Sequence, residues 1–220
     1  MNPYYADDHV TLYHGDLRDW TGAADAILTD PPYGRAALPL WSALGSLAAE
    51  TLPAGGWLVA YSGQASLPES MAALSAAGLA YRWTLATVYP GREQMARIGD
   101  MTVLTGWKPV LAYRKPPYGS ARGVHGRFTS GGRTGIRDVL PRGGYEKEAH
   151  EWAQPLSEAI EIVTRFHRGD DVVLDPFAGS GTFLVAAKAL GLRAIGIELE
   201  ERHCETAANR LRQEVLGLIA

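Results

Sequence analysis

The chain has 220 residues, 46% apolar and 20% charged, with a formal net charge of −3. Those are the proportions of a globular protein long enough to bury one sizeable core. No apolar run approaches the ~18 residues of a membrane span, the polar, acidic start MNPYYADDHV does not read as a targeting segment, and the single cysteine, Cys204, speaks against an internal disulfide or a thiolate metal site. The expectation is one domain over 1–220 in a reduced, cytoplasmic setting, with no membrane association.

In chain order, VTLYHG and DAILTD read as strands, LPLWSALGSLAAETL as a helix and GWLVAYSG as a strand. ASLPESMAALSAAGL reads as a helix opened by Ser66, or by Ser70 after its proline. YRWTLATVYP and GWKPVLAYRK follow as strands rich in aromatic and β-branched residues. Periodicity vanishes between Lys115 and Ala149, a Gly- and Arg-rich stretch, and such length without elements is functional or disordered. The last third is a strand at Val172–Leu174, a helix in GSGTFLVAAKALG with Gly191 at its C-cap, a strand RAIGIE, and a closing helix. Cys204, Ala207, Ala208 and Leu211 fall on one face of that closing helix. Strand, helix, strand, helix at this spacing predicts a right-handed βαβ unit in a parallel sheet.

The net charge conceals a division. Between Gly91 and His150 eleven Lys and Arg stand against five Asp and Glu, a net of +6 against −9 for the remainder. A basic, loop-rich insert over 91–149 in an acidic body predicts a surface that faces a polyanion. A solvated loop is the bland alternative.

The tetrapeptide Pro-Pro-Tyr-Gly occurs twice, in LTDPPYG and in YRKPPYG. Prolines and glycine are loop vocabulary, so context decides. The first copy follows Asp30 at the end of a buried strand, the edge where open α/β sheets bind ligands. The second opens the basic stretch without an acid and reads as a turn. DPFAGSGT repeats the strand-end logic: Asp175, then Gly179 and Gly181 in a turn, then a helix start whose free N–H groups favour negative groups. Glu198 ends the next strand, placed to accept the two hydroxyls of a ribose. No Lys follows the glycines, so this is not a P-loop, and Leu184 fills the third glycine position of a dinucleotide fingerprint. A tight βα turn with Glu198 as an ordinary strand-end charge is the alternative reading.

DPPY, DPFAGSGT and GIE, in that order, resemble the S-adenosylmethionine-dependent amino-methyltransferases that act on DNA, in the permuted arrangement of the β class. GWKPVLAYRK resembles the family's late strand, His150 to Pro155 its segment before the glycine motif, and His14 to Trp20 its N-terminal segment at the cofactor's adenine. The chain departs from the family in the segment before the glycine motif, with Ala153 and Gln154 where glutamine and lysine are usual. The resemblance implies a Rossmann-like α/β fold with a mixed, mostly parallel seven-stranded sheet and helices on both faces.

It also implies roles. Asp30 and the Pro31 carbonyl would accept hydrogen bonds from an exocyclic amine, with Pro32 completing the turn and Tyr33 stacking on the flipped base. Asp175 would hold the cofactor's amino group, beside Phe177, Gly179, Ser180 and Gly181. Glu198 would bind the ribose, Asp16 and Leu17 would border the adenine, and Asp30, His150 and Pro155 would complete the cofactor site, with Thr182 capping the helix. Arg92, Arg97, Arg114, Lys115, Arg122, Arg127, Arg133 and Arg137 are the expected DNA contacts. The implied reaction is methyl transfer from S-adenosylmethionine to adenine N6 in double-stranded DNA, leaving S-adenosylhomocysteine, with no metal required. Asp at the first position of DPPY tilts toward adenine over cytosine N4. RNA, a protein glutamine, or a non-catalytic DNA-binding role on the same scaffold are more distant alternatives. A homodimer and a companion restriction enzyme are analogies from the family only. His9, His14, His167 and His203 are read as packing or surface residues, and His125 as a possible phosphate contact.

Overall fold

The computed structural model describes residues 1–89, 93–98, 100–117, 128–130, 133–135, 137–140, 155–167 and 171–213. The elements run β1 (Pro3–Ala6), β2 (Val10–His14), β3 (Ala26–Thr29), α1 (Leu38–Thr51), β4 (Trp57–Tyr61), α2 (Leu67–Ala76) and β5 (Ala80–Val88). They continue with β6 (Gln94–Ile98), β7 (Met101–Thr105), β8 (Trp107–Arg114), β9 (Phe128–Ser130), β10 (Arg133–Gly135) and β11 (Val139–Leu140). α3 (Leu156–Phe166), β12 (Val172–Asp175), α4 (Thr182–Ala189), β13 (Arg193–Glu198) and α5 (Glu201–Gln213) complete the chain.

One nine-stranded sheet, in the order β1-β2-β13-β12-β3-β4-β8-β5-β11, organises the molecule. The seven strands expected from the sequence, β2 to β5 in that order, are flanked by β1, antiparallel to β2, and by the two-residue β11, parallel to β5. β2, β13, β12, β3 and β4 are mutually parallel, whereas β8 runs antiparallel between β4 and β5.

The strands are apolar on both faces because helices cover both. On one face Ile27, Leu58, Ala60, Leu111, Leu174 and Ile197 pack under Trp41, Leu44 and Ala48 of α1 and Leu74 of α2. On the other, Leu28, Val59, Tyr61, Val110 and Val173 meet α3, α4 and α5 through Ile162, Phe166, Leu184, Ala207 and Leu211. The period of two within each strand sorts neighbours such as Ile27 and Leu28 to opposite cores. The Rossmann-like α/β expectation holds.

Besides β1 and β11, the helix α3 and two short antiparallel pairs were not read from the sequence, whereas the opening of α2 at Ser66 was. α3 is an amphipathic helix whose Leu156, Ala159, Ile162, Val163 and Phe166 recur at helical spacing, a signal that was present. β6 and β7 form a separate hairpin with Met95 opposite Leu104, and β9 pairs with β10. Helix α2 has Ser66 at its N-cap position without a side-chain capping bond, and Ser70 is buried inside it.

The chain reverses its winding between β12 and β3. Ligands bind at such a switch point, outside the carboxyl ends of the strands. Asp175 ends β12 and Asp30 follows β3, so both motifs arrive there.

Candidate active site

Asp175 leads from β12 into the glycine turn that starts α4. Gly179 and Gly181 have φ of +51° and +80°, where an L side chain is strained. Gly181 is doubly constrained, because a Cβ there would lie 2.9 Å from Cβ of Ala207 on α5. At Gly179 a Cβ would meet only the Phe177 carbonyl, at 3.9 Å, so the turn leaves open space above it. The Gly179 N–H donates to Oε2 of Glu198 at 2.7 Å, and the Glu200 N–H to Oε1 at 2.8 Å. Glu198 thereby ties the turn to the end of β13. His203, read from the sequence as a packing or surface residue, brings Nδ1 within 3.7 Å of the same carboxylate.

From α5, Arg210 donates through Nη1 to the Ser180 carbonyl (2.8 Å), the Ser180 hydroxyl (3.0 Å) and Oγ1 of Thr182 (3.1 Å). This corrects the expected role of Thr182. Its hydroxyl accepts from Arg210, and α4 starts without a side-chain cap.

The DPPY turn is joined directly to this site. Oγ1 of Thr29, the residue before Asp30, donates to Oδ1 of Asp175 at 2.6 Å, and the Phe177 N–H donates to the same oxygen at 3.1 Å. Asp175 is buried, and burial pushes its carboxyl up to about 7 against the pull of those two hydrogen bonds. Asp30 is half-buried and accepts from the Tyr33 hydroxyl. Pro31 is buried, Pro32 and Tyr33 are exposed, and the buried Trp41 donates to the Pro32 carbonyl at 3.3 Å. Trp41 thus pins the turn through one proline carbonyl. Tyr33 rests on Gly63, where a Cβ would come within 3.2 Å of its own.

Two charged residues that sequence reasoning passed over complete the constellation. Lys108 places Nζ 3.2 Å from Oδ2 and 3.4 Å from Oδ1 of Asp30, and 4.5 Å and 4.6 Å from the ring centroids of Tyr33 and Tyr61. Desolvation lowers its pKa, and the Asp30 charge opposes that. Glu158 of α3 is fully buried, with Oε1 accepting from the Tyr61 hydroxyl and from Oγ1 of Thr87 (2.7 Å). Its carboxyl is raised by burial, an effect that those hydrogen bonds and Lys108 oppose. A signal existed: each is a charge on the apolar face of a periodic element. Lys108 shares strand parity with the buried Val110 and Ala112, and Glu158 lies one turn before Ile162.

Asp16 and Leu17 lie just beyond β2, next to Glu198, because Glu198 pairs with His14 and the Gly15 N–H donates to the Glu198 carbonyl at 2.9 Å. Arg18 holds the Asp16 carboxyl down at about 2 through hydrogen bonds at 2.8 and 2.5 Å, and Leu17 is buried. Pro155 stands at the N-cap of α3. His150 and His125 lie outside the described residues, as do Arg92, Arg122, Arg127 and Tyr118. Arg97 and Arg133 lie on β6 and β10, and Arg137 is exposed just before β11.

Arg114 and Lys115 must be removed from the expected DNA-facing set. β8 is antiparallel to β4, so it starts at the site with Lys108 and ends at the opposite edge, with Arg114 paired to Trp57. There Arg114 is buried, donates twice to the Gly55 carbonyl (3.1 and 3.0 Å) and lies 5.0 Å from the Trp57 ring centroid. Lys115 donates to the Leu52 carbonyl at the end of α1 (2.6 Å). Pro116 and Pro117, which begin the second copy, therefore follow β8 at the far edge of the sheet, away from Asp30. Among the described residues no group of three or more His, Cys, Asp or Glu could hold a metal ion, and no helix is long and apolar enough to cross a membrane.

Comparison with known proteins agrees with this arrangement. A family model described as DNA methylase matches residues 111–209. The chain is 43% identical over 67 residues to Type II methyltransferase M.HinfI of Haemophilus influenzae, covering 30% of this chain and 19% of that protein. It is 34% identical over 77 residues to Type II methyltransferase M.ScaI of Streptomyces caespitosus, covering 35% and 25%. The chain thus aligns with a quarter or less of the length of these two relatives. Over nearly its whole length it superimposes on solved structures. The M1.HpyAVI–SAM complex gives a TM-score of 0.72 at 25% identity, covering 92% of this chain and 98% of that one. A DNA modification methylase of Thermus thermophilus, TTHA0409, complexed with S-adenosyl-L-methionine, gives 0.69 at 25% identity, covering 94% of each. With the permuted motif order brought to one sheet edge and these likenesses in both sequence and fold, the chain is similar to the amino-methyltransferases among the DNA methylases, the family model matching less than half of its length.

Proposed function

We propose that this chain transfers the methyl group of S-adenosylmethionine to N6 of an adenine flipped out of double-stranded DNA. The observation that carries the reading is the hydrogen bond between Thr29 and Asp175, which spans 146 positions of sequence. It couples the acid suited to a cationic amino group to the turn that bears the acid suited to an exocyclic amine.

The residues present fit the cofactor. Glu198 offers a carboxylate at a strand end for two ribose hydroxyls, with its position fixed by two backbone N–H groups. Asp175, buried and titrating near neutrality, gains stability as an anion when a cationic amino group arrives. The space above Gly179 admits a ligand against the backbone, and Asp16 and Leu17 supply a border beside Glu198. When bound, S-adenosylmethionine supplies a methyl group already activated on a sulfonium sulfur, so no covalent enzyme intermediate is needed.

An exocyclic adenine amine is a weak nucleophile because its lone pair is delocalised into the ring. Accepting both its protons in hydrogen bonds draws the nitrogen toward tetrahedral geometry and releases that pair. Asp30 supplies one acceptor and the Pro31 carbonyl the other, and Pro31 has no N–H to compete. Unstacking a target base costs a few kcal/mol, and stacking on Tyr33 returns about 1–3 kcal/mol.

The test is incubation with mixed-sequence duplex DNA and methyl-labelled S-adenosylmethionine, digestion to nucleosides, and identification of the labelled one by mass. N6-methyladenine is the expected product. N4-methylcytosine would keep the mechanism and overturn the base assignment, and absence of label in DNA would overturn the reading.

A further inference from the structure

The ammonium of Lys108 is built into the site. It faces both oxygens of Asp30 at nearly equal distances, 3.2 and 3.4 Å, and lies against two aromatic rings, Tyr33 of the DPPY turn and Tyr61 at the end of β4. Its side chain is only 15% exposed. Behind Tyr61 lies Glu158, whose Oε1 takes the Tyr61 hydroxyl and the Thr87 hydroxyl, and whose buried Oε2 meets no hydrogen-bond donor among the described residues. Strand register explains the assembly. Thr87 of β5 is the cross-strand partner of Lys108 and Tyr61 is that of Val110; Tyr61 and Val110 belong to the core that contains α3, and Thr87 and Tyr61 both reach Glu158 of that helix.

We propose that Lys108 is a positioning residue that fixes the Asp30 carboxylate for the incoming amine, and that Glu158, acting across Tyr61, fixes Lys108. The inference rests on the function proposed above. An acceptor carboxylate beside an exposed turn can rotate, and catalysis is steep in such misplacement: about 1 Å costs on the order of 100-fold. A cation equidistant from both oxygens holds the carboxylate plane without using up its remaining lone pairs. The rings on either side favour a cation by their quadrupoles and exclude the water that would compete for it. A lone cation would oppose an amine that becomes positive as it is methylated. With Glu158 ionised, the two carboxylates outweigh the one ammonium, and the local field favours that amine.

The chain has four lysines, so selective 13C labelling of lysine gives a resolvable titration of each side chain. In the intact protein, Asp30→Asn and Glu158→Gln should each move the Lys108 signal to a lower titration point, because each removes an anion that favours the charged form. Among the described residues, Asp30 and Glu158 are the carboxylates that favour the charged lysine, and Tyr33 and Tyr61 are the titratable rings against it. In methyl transfer, Lys108→Met should lower kcat about tenfold or more, with the S-adenosylmethionine dissociation constant within about twofold, and Lys108→Arg should restore part of the loss. A Lys108 titration indifferent to Asp30→Asn, or an unchanged kcat in Lys108→Met, overturns the proposal. If the wild-type protein transfers no methyl group to DNA, the function proposed above falls, and the lysine titration still decides whether Lys108 is held by Asp30 and Glu158.

Discussion

The two acids at the switch point have different environments, and this shapes what each can be asked to do. Asp175 is buried and keeps its proton to about pH 7, whereas the same carboxyl in the unfolded chain releases it near 4. The folded state therefore binds the extra proton, and stability falls as pH rises from about 4 to 7, then levels off. Asp175→Asn should accordingly leave the melting temperature at pH 8 equal to or above wild type, while S-adenosylmethionine affinity, measured by calorimetry, drops at least tenfold. In the wild type that affinity should fall progressively as pH drops below 7, because the carboxyl must ionise to hold a cationic amino group. Tyr33→Ala should lower methyl transfer about 10- to 100-fold, the equivalent of 1–3 kcal/mol of stacking. Tyr118→Ala, in the other Pro-Pro-Tyr-Gly, should change it little. Equal losses would remove the distinction between the copies. That distinction was legible in the sequence, since Asp30 follows a buried strand and Lys115 does not. Lys108 and Glu158 were not read, because a lone charge on an apolar face reveals its partner only when the elements are assembled.

Among the elements, β8 separates what strand patterning conveys from what it conceals. Its existence and its alternating core face are readable in GWKPVLAYRK, but its direction is not. Running antiparallel, it delivers Lys108 to Asp30 and carries Arg114 to the far edge. Arg114→Met should therefore destabilise the fold by about 2 kcal/mol, the scale of a buried hydrogen bond to a charged group, seen as a shift in the denaturation midpoint. DNA affinity should stay at the wild-type value. A loss of DNA affinity without a loss of stability would return Arg114 to the DNA-facing set. α3 matters in the same way. It closes one core, carries Glu158 beneath Tyr61, and stands directly after the segment that resembles the family's cofactor-binding stretch. Its helical spacing was available in PLSEAIEIVTRF, next to a stretch whose residues depart from the family pattern.

At the scale of the whole molecule, charge is divided between an acidic body and the basic insert over 91–149. If that insert meets DNA phosphates, neutralising Arg122, Arg127 and Arg133 together should weaken binding and reduce the slope of log K against log salt by about 2–3, since each phosphate contact contributes about 0.9. An unchanged slope would assign the contacts elsewhere. The sequence by itself determined the alternation of strands and helices, the two motifs and their permuted order, and the segregation of positive charge. These are local properties of period, turn chemistry and composition, and they survive being read one segment at a time. Only the tertiary structure decided that Thr29 joins Asp30 to Asp175, that Lys108 rather than Arg114 reaches the site, and that a buried glutamate stands behind it. Those facts depend on strand direction and on register between residues 71 to 146 positions apart, where the chain's own periodicity carries no information.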